Sequence, residues 1–444
     1  MLKNRHGSTS SKLPQTPDED GVFDLEPSFV SHGVIDGAIT CVLAVDSPYN
    51  RDDQSDETLL LAGTYNGDIY LYDLITKKYC GAIYKNLAKK SEKRKHETAE
   101  DRGSWILDEE GIVLTRQEGG IIQMGSLSTT TIWVQFRGGS LALFAWDLAV
   151  ENKEPRLNLQ KRIPFNHAGF CKAVYVHEKF ILPDTMPGAA SGFSVLDERC
   201  NKKMYELSED LLRRDCQIRK AEIDKLRPFS GALMYIKPYN INTPDHYFVG
   251  FEDASLILFD AFDSTIVDWY QYYIPDQTTG LIAVASRSLL NSDDMEAHQF
   301  LVVLPNMVYL LYFDPREHRF VFNMKVKEWK GDLHCMAVTF GPEAHRKRPA
   351  RLTEPCRFAM AFNWGRLEIF SLAFDTTQND FQITHIYTAN VGKEGVLDLN
   401  WSLRSQTLVA CCVETKEGKE TRNKLGKLYY YEKAPLPKKK KIKY

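Results

Sequence analysis

The chain has 444 residues, 43% of them hydrophobic and 26% charged, which is typical of globular proteins with a large apolar core. Its formal net charge of −3 gives no overall attraction to nucleic acid or to anionic membranes. Residues 1–20 have no apolar core, so we expect no secretory signal there, and no run approaches the ~18 apolar residues of a membrane span.

A hairpin pattern recurs along the chain. In residues 246–262, HYFVGFEDASLILFDAF, two apolar runs flank a polar turn, and an aromatic–acid pair closes the second run. Six further copies lie at 59–74, 132–148, 179–198, 299–314, 357–372 and 406–433. The pairs that close the seven copies are Tyr72-Asp73, Trp146-Asp147, Leu196-Asp197, Phe259-Asp260, Phe313-Asp314, Phe370-Ser371 and Tyr431-Glu432. We expect the closing acids to accept hydrogen bonds from the turns that follow them.

Each hairpin is preceded by a strand-like stretch, and most are followed by a fourth. The preceding stretches are 38–45, 120–127, 169–176, 231–236, 280–286, 333–340 and 396–401, and the following ones include 79–84, 264–270 and 318–326. The inner runs are almost continuously apolar, which is typical of strands covered on both faces. Four strands repeated seven times predict an all-β fold, a seven-bladed WD40-type β-propeller.

The last hairpin ends at Tyr431 and has no fourth strand after it. The N-terminal stretch GVFDLEPSFV, residues 21–30, precedes the first blade and has no blade of its own. We expect this stretch to supply the outer strand of the last blade and so shield its edge. The domain prediction is therefore a disordered tail over 1–20, the propeller over 21–433 and a basic tail over 434–444.

Two charged segments fall outside the predicted blades. Residues 85–104 are dense in charge and poor in apolar residues, which predicts a disordered loop or a solvated helix. Residues 208–228 place apolar side chains at weakly helical spacing in a charged frame. This segment is either a surface helix between the third and fourth blades or a partner-docking element, and we favour the surface helix.

The C-terminal end carries a compact basic run, which consists of Lys438, Lys439, Lys440, Lys441 and Lys443. Such a run is typical of a nuclear import signal, and the alternative is a solubilising tail.

Sequence patterns of catalysis and metal binding are missing. There is no phosphate-binding G-x-x-x-x-G-K-[S/T], no H-E-x-x-H and no G-x-S-x-G. The nine cysteines include no C-x-x-C pair, which favours reduced, buried thiols in an intracellular protein. His32, His167 and His334 precede first strands, where we expect them to hydrogen-bond the fold. We therefore expect no enzyme activity, no cofactor and no metal site.

Several stretches go beyond a generic propeller. FVSHGVIDGAITCVLAV, LLLAGTYNGDIYLYDL, GFCKAVYV with the residues that follow it, and HYFVGFEDASLILFDAF resemble a divergent WD-repeat family. This is the guanine-nucleotide-binding-protein β-subunit-like group, which includes the yeast ASTRA-associated WD protein. The most specific element is Phe170-Cys171, then Pro183, then Phe193 to Asp197. The chain departs from the family pattern in having Tyr-Asp or Phe-Asp where Trp-Asp is usual.

The resemblance implies a non-catalytic scaffold for protein–protein interaction. Its implied partners are subunits of the Triple-T co-chaperone, which helps to mature phosphatidylinositol-3-kinase-like kinases, or members of a chromatin-associated assembly. It also implies residence in both nucleus and cytoplasm. We expect a monomeric propeller within such a complex, with no direct contact to nucleic acid or membrane.

Two other functions stay open at this point. A propeller enzyme or small-ligand binder would need polar side chains that converge at one mouth of the central channel. The loops ahead of the first strands offer Asp36, Asp276, Asp332 and Lys393, which are scattered in type. A G-protein β-like signalling subunit would normally use an N-terminal coiled-coil helix, and residues 1–20 show no heptads.

Overall fold

The computed structural model describes most of the chain in separate segments. The described residues are 23–24, 27–31, 35–48, 57–86, 106–107, 113–114, 119–147, 155–165, 171–184, 192–197, 199, 201–217, 229, 231–240, 243–271, 281–290, 295–329, 334–341, 350–378, 380–391, 395–402, 407–416 and 423–431. The chain divides into two compact units. The four-blade unit comprises 37–283 with 317–321, and the three-blade unit comprises 1–36, 284–316 and 322–444.

Three short strands come first, and four blades follow. The opening strands are β1 (Phe23–Asp24), β2 (Phe29–Val30) and β3 (Ile35–Asp36). The first blade is β4 (Ile39–Asp46), β5 (Glu57–Thr64), β6 (Ile69–Asp73) and β7 (Tyr79–Tyr84), after which β8 (Ile106–Leu107) pairs with β9 (Val113–Leu114). The second blade is β10 (Ile121–Ser126), β11 (Thr131–Phe136), β12 (Ser140–Trp146) and β13 (Leu157–Pro164). The third blade is β14 (Val174–Val176), β15 (Lys179–Leu182), β16 (Gly192–Leu196) and β17 (Lys202–Glu206), and helix α1 (Glu209–Cys216) follows it. The fourth blade is β18 (Leu233–Asn240), β19 (Thr243–Phe251), β20 (Ser255–Asp260) and β21 (Thr265–Gln271).

The remaining strands form three further blades. The fifth blade is β22 (Ala283–Leu290), β23 (Glu296–Leu304), β24 (Met307–Asp314) and β25 (Arg319–Glu328). The sixth is β26 (Cys335–Phe340), β28 (Cys356–Phe362), β29 (Arg366–Asp375) and β30 (Asp380–Asn390), while the short β27 (Ala350–Arg351) pairs with β22. The seventh blade contains β31 (Val396–Trp401), β32 (Leu408–Lys416) and β33 (Asn423–Tyr431). Seven sheets of this kind confirm the predicted seven-bladed β-propeller.

The inner strands are buried on both faces, as their apolar runs predicted. Successive residues of a strand point to opposite faces, yet Leu60, Leu61 and Ala62 on β5 are all fully buried. The same holds for Val302 and Val303 on β23. Apolar clusters between neighbouring blades therefore form the core, such as the one joining the first and second blades.

The seventh blade is completed by the N-terminal strands, as predicted. Phe29 pairs with Tyr430 and Val30 with Tyr429, and β3 pairs further along the same strand β33. The prediction for residues 21–30 was wrong in one respect, because β1 leaves this blade and pairs in parallel with β30 of the sixth blade. The opening segment therefore supplies the outer strand of the seventh blade and covers the outer strand of the sixth.

Four of the predicted closing acids hold the turns after them, and Asp375 does the same in the sixth blade, where another ending was predicted. The carboxylates of Asp73, Asp197, Asp260, Asp314 and Asp375 each accept a backbone N–H at 2.7–2.9 Å. The predicted end of the sixth copy at Phe370-Ser371 was wrong. Strand β29 continues to Phe374-Asp375, an aromatic–acid pair, and the longer hairpin thereby recovers the usual acid.

Helix α1 lies on the fourth blade, which confirms the surface helix in the described part of residues 208–228. The Ser208 hydroxyl caps it by accepting the Leu211 N–H at 3.3 Å, and Leu212 is fully buried. The Asp215 carboxylate accepts the Ile266 N–H at 2.8 Å, so the helix covers part of the outer strand β21. No helix in the described residues is both long and apolar enough to cross a membrane.

Several predicted segments lie outside the described residues. These are the tails 1–20 and 434–444 and, beyond Asn86, the charged segment 85–104. Among the eight cysteines that the structure describes, none forms a disulfide, and six are buried.

Candidate interaction surface

The turn between the second and third strands has the same hydrogen bond in four blades. The N–H groups of Gly67, Gly139, Ala254 and Gly365 donate to the carbonyls of Thr64, Phe136, Phe251 and Phe362 at 3.0, 3.4, 3.0 and 3.2 Å. The donor residue has a positive φ in every case, between 64° and 89°. Such a backbone favours glycine, which explains three of the four identities.

These turns are anchored to the start of the first strand in the same blade. The N–H groups of Tyr65, Arg137, Glu252 and Asn363 donate to the carbonyls of Ala38, Gly120, Ala232 and His334 at 2.8–3.0 Å. In the sixth blade the Asn363 side chain adds a second anchor, because its Oδ1 accepts the His334 N–H at 3.0 Å. The tip of the turn is therefore held by backbone bonds that do not depend on its own side chain.

The residue at the tip distinguishes the sixth blade from the others. The tips of the four turns are Asn66, Gly138, Asp253 and Trp364. Asparagine, glycine and aspartate are the residues that such turns select. Tryptophan is not among them, and Trp364 is 64% exposed. Local turn chemistry therefore does not explain a tryptophan at this position.

In the sixth blade a second apolar side chain, that of Met336, is exposed in addition to Trp364. It lies at a β-bulge near the start of the blade's first strand. The register shifts by one residue in five blades, which makes Thr40, Ile122, Met234, Met336 and Leu397 the extra residues. Bulges re-aim side chains, and Met336 is 43% exposed although its neighbour Cys335 is fully buried.

Trp364 and Met336 belong to one corner of the sixth blade. Cys335, next to Met336, pairs with Phe362, the residue that begins the Trp364 turn. Phe362 is supported by Trp329, which packs edge-on against it with ring centroids 4.9 Å apart. We call Trp364 and Met336 the sixth-blade rim. It is an exposed aromatic and a flexible thioether on a rigid base.

A buried carboxylate on β29, the strand that follows the Trp364 turn, pairs with two cations. Glu368 is fully buried, and its carboxylate is 2.8 Å from Lys327 Nζ and 2.5 Å from an Arg366 nitrogen. Lys327 and Arg366 remain partly exposed, with side chains 27% and 42% accessible. The local charge is therefore positive at the surface and negative only inside.

His385 completes the polar cluster without adding charge at neutral pH. Its ring stacks on Phe370 with centroids 4.6 Å apart, and burial lowers its pKa, outweighing the opposing effect of Glu368. Burial also raises the pKa of Cys335 to about 12, so the thiol beside Met336 is protonated. The rim therefore offers apolar and aromatic contact rather than a nucleophile.

The residues singled out from sequence have different outcomes. His334 hydrogen-bonds the fold as predicted, with Nδ1 2.9 Å from the Pro305 carbonyl oxygen. Other predicted positions lie outside the described residues, namely His32, His167, Asp276, Asp332, Lys393 and the basic run Lys438, Lys439, Lys440, Lys441 and Lys443. Asp36 lies in β3, which pairs with β33. Within the described ranges no three His, Cys, Asp or Glu side chains are grouped to hold a metal ion.

Trp364 was not singled out from sequence, although a signal was present. The stretch RFAMAFNWGRLEIFSL was recognised as a hairpin with its turn at Asn363–Gly365. Aligning this turn with Asn66-Gly67, Gly138-Gly139 and Asp253-Ala254 would have placed tryptophan where asparagine, glycine and aspartate stand in the other three copies. The exposure of Met336 had no such signal, because it depends on the bulge.

Comparison with known proteins supports the fold. No protein-family profile and no curated protein sequence matches this chain. The β-propeller domain of Cps50 (Swd1) from Myceliophteria thermophila is 14% identical, with a TM-score of 0.53 over 90% of this chain and 99% of that domain. Raptor from Chaetomium thermophilum is 7% identical, with a TM-score of 0.51, and the match covers 89% of this chain but 28% of Raptor. At these identities the likeness shows a WD40-type propeller fold and nothing finer.

Proposed function

We propose that this chain is a protein-interaction scaffold that binds a partner through the sixth-blade rim. The observation that carries the proposal is Trp364, a 64% exposed tryptophan at a turn tip that local geometry would give to a turn-forming residue. Binding hot spots are enriched in tryptophan. Met336 adds the adaptable apolar contact that methionine supplies at binding surfaces.

The area that a tryptophan can bury and the rigidity of its turn both favour binding at a small site. Aromatic side chains bury roughly 150–250 Å² each, which makes them dominant contributors at interfaces. The turn that carries Trp364 is already fixed by the bonds from Asn363 to His334. Little backbone order is therefore lost on binding, and more of the contact free energy appears as affinity.

The finer part of the proposal is a role in assembling large complexes. We propose that the chain is a cofactor of the Triple-T co-chaperone in the maturation of phosphatidylinositol-3-kinase-like kinases, or a member of a chromatin-associated assembly. The sequence stretches that resemble the β-subunit-like WD family support this, together with the propeller fold. The same resemblance supports residence in both nucleus and cytoplasm.

The test is affinity purification of the full chain from native extract, followed by mass spectrometry. Wild type, Trp364→Ala and Phe262→Ala would be compared, because Phe262 is a 79% exposed aromatic in a different turn and serves as the matched control. We expect Trp364→Ala to lose a set of proteins that Phe262→Ala retains. A hot-spot loss of about 2 kcal/mol or more would weaken their binding roughly thirtyfold.

One result would contradict the rim as the binding site, and another would contradict the finer role in assembling complexes. If Trp364→Ala, with unchanged thermal stability, retains every partner of the wild type, the rim is not the binding site. If the wild type recovers neither a Triple-T subunit, nor a kinase of this class, nor a chromatin-associated protein, the finer role is wrong.

A further inference from the structure

The charge beside Trp364 indicates what kind of partner the rim accepts. Arg366 is two residues beyond Trp364 along the chain, and its side chain is 42% exposed. It shares the single carboxylate of Glu368 with Lys327. Two cations and one carboxylate leave an excess of one positive charge, and the carboxylate is the member that is fully buried.

Neither His385 nor the Lys325–Glu328 pair cancels this excess. Burial keeps His385 neutral at pH 7, so it adds no charge. Lys325 and Glu328 form their own ion pair, with Nζ 2.6 Å from the carboxylate, and contribute no net charge. The aromatic tip is therefore flanked by an arginine whose charge is only partly compensated.

Arginine suits this position for a geometric reason. Its planar guanidinium carries five N–H donors, more than one carboxylate can accept. Nη2 faces Glu368, and the side chain as a whole is 42% exposed. A second carboxylate approaching from outside would meet a preformed cation held in place by Glu368.

We propose that the partner is a polypeptide segment that places an apolar side chain on Trp364 and Met336 and a carboxylate on Arg366. This deepens, and rests on, the proposed function of the rim. The apolar contact supplies most of the affinity, and the carboxylate fixes the register of the segment and speeds encounter. An acidic segment without an apolar anchor, or a nucleic acid, would use the cation but add no apolar contact to Trp364 and Met336.

The experiment uses as probe the protein that co-purifies with wild type and is lost with Trp364→Ala. Its affinity for the full chain would be measured at low and high salt with wild type, Arg366→Gln and Arg366→Lys. The matched control is Arg213→Gln, an exposed arginine that pairs with Asp210 on α1. We expect Arg366→Gln to weaken binding about tenfold and to flatten the salt dependence, as for a lost charge pair. Arg366→Lys should recover part of both, and Arg213→Gln should change neither.

The possible results separate this inference from the function on which it rests. If affinity depends on Trp364 but not on Arg366 or salt, the acidic partner is wrong while the rim remains the binding site. If DNA or RNA competes for the rim with the same dependence on Arg366, the cation serves a nucleic acid and the proposal is overturned. If no protein is lost with Trp364→Ala, both proposals fail. Equal thermal unfolding of wild type and Arg366→Gln would show that the Lys327–Glu368 pair still holds the blade.

Discussion

The fourth and sixth blades use the same backbone design and differ in the side chains that the backbone leaves undetermined. Both have the anchored turn, the strand-one bulge and the acid cap after the third strand. In the fourth blade the tip residue Asp253 serves its own turn, because its carboxylate accepts the Ser255 N–H at 2.9 Å and hydroxyl at 2.6 Å. In the sixth blade the tip is Trp364, whose side chain is 64% exposed.

The buried side chains of the two blades also differ, although the backbone design is the same. The fourth blade packs against the third through an aromatic cluster in which Phe193 meets Tyr247 and Phe259, each with centroids 5.5 Å apart. The sixth blade buries Glu368, held by Lys327 from the fifth. Repeated backbone positions therefore specify the fold, while the non-repeated side chains are where a repeat protein can acquire an individual function.

The largest expected effect concerns how the blades are completed. The fourth blade is built from one stretch of chain, whereas β1 pairs with the outer strand of the sixth blade and β2 supplies the outer strand of the seventh. Deleting residues 1–31 should expose both edges, lower solubility and cost more than the ~3–5 kcal/mol of one large core truncation. Deleting only residues 1–20 should be nearly silent. Equal thermal unfolding of the two truncations would show that β1 and β2 do not complete these blades.

Replacing Glu368 tests whether the buried carboxylate distinguishes the sixth blade energetically. Glu368→Gln removes the charge that Lys327 and Arg366 share and should cost about 2–3 kcal/mol. This is less than for fully buried partners, because both cations are partly exposed. The control Glu317→Gln affects an exposed pair with Arg319 and should cost about 0–1 kcal/mol. Urea unfolding would measure both, and equal losses would contradict a special role for Glu368.

The next effect is a pH dependence that arises at His385. Burial lowers its pKa below the usual 6.5, so the unfolded chain binds the proton more readily. The stability that neutral His385 provides is complete above pH 6.5 and is lost as the pH falls from there towards the lowered pKa. His385→Phe keeps the stack on Phe370 and removes the titration. Thermal unfolding at pH 7.5 and 5.5 should therefore differ less for the variant, and identical shifts would exclude His385 as the cause.

A smaller effect at lower pH concerns the acid caps common to the blades. The Thr377 hydroxyl and N–H hold the pKa of Asp375 below its usual 3.8, and the Asn201 side chain does the same for Asp197. A lowered carboxyl pKa gives stability that is present above pH 3.8 and lost as the pH falls through the folded value. Asp375→Asn and Asp197→Asn should both flatten thermal stability plotted against pH below about 4.5. A change in only one variant would show that the caps are not equivalent.

The sequence predicted the features that repeat, because each leaves a local pattern. Apolar runs around a turn and an aromatic–acid ending placed the hairpins, and the missing fourth strand indicated that the N-terminus closes the last blade. Long-range or side-chain features left no such pattern. The pairing of β1 with β30 joins residues more than 350 apart, Glu368 resembles any outward residue of an alternating strand, and Met336 is exposed only by a bulge.

The smallest effect on stability is expected at the basic tail, which lies outside the described residues. Lys438, Lys439, Lys440 and Lys441 follow Pro435 and Pro437, and prolines favour an extended chain that an acidic receptor groove can bind. Changing these four lysines to alanine should leave thermal unfolding unchanged and lower the nuclear-to-cytoplasmic ratio of the tagged protein. The protein should remain in both compartments, since we propose work in both. Alanine at Lys427, which lies within β33, would be a poor control, whereas alanine at the exposed Lys78, just before β7, removes one charge and should leave the ratio unchanged. An unchanged ratio in the four-lysine variant would favour the solubilising tail.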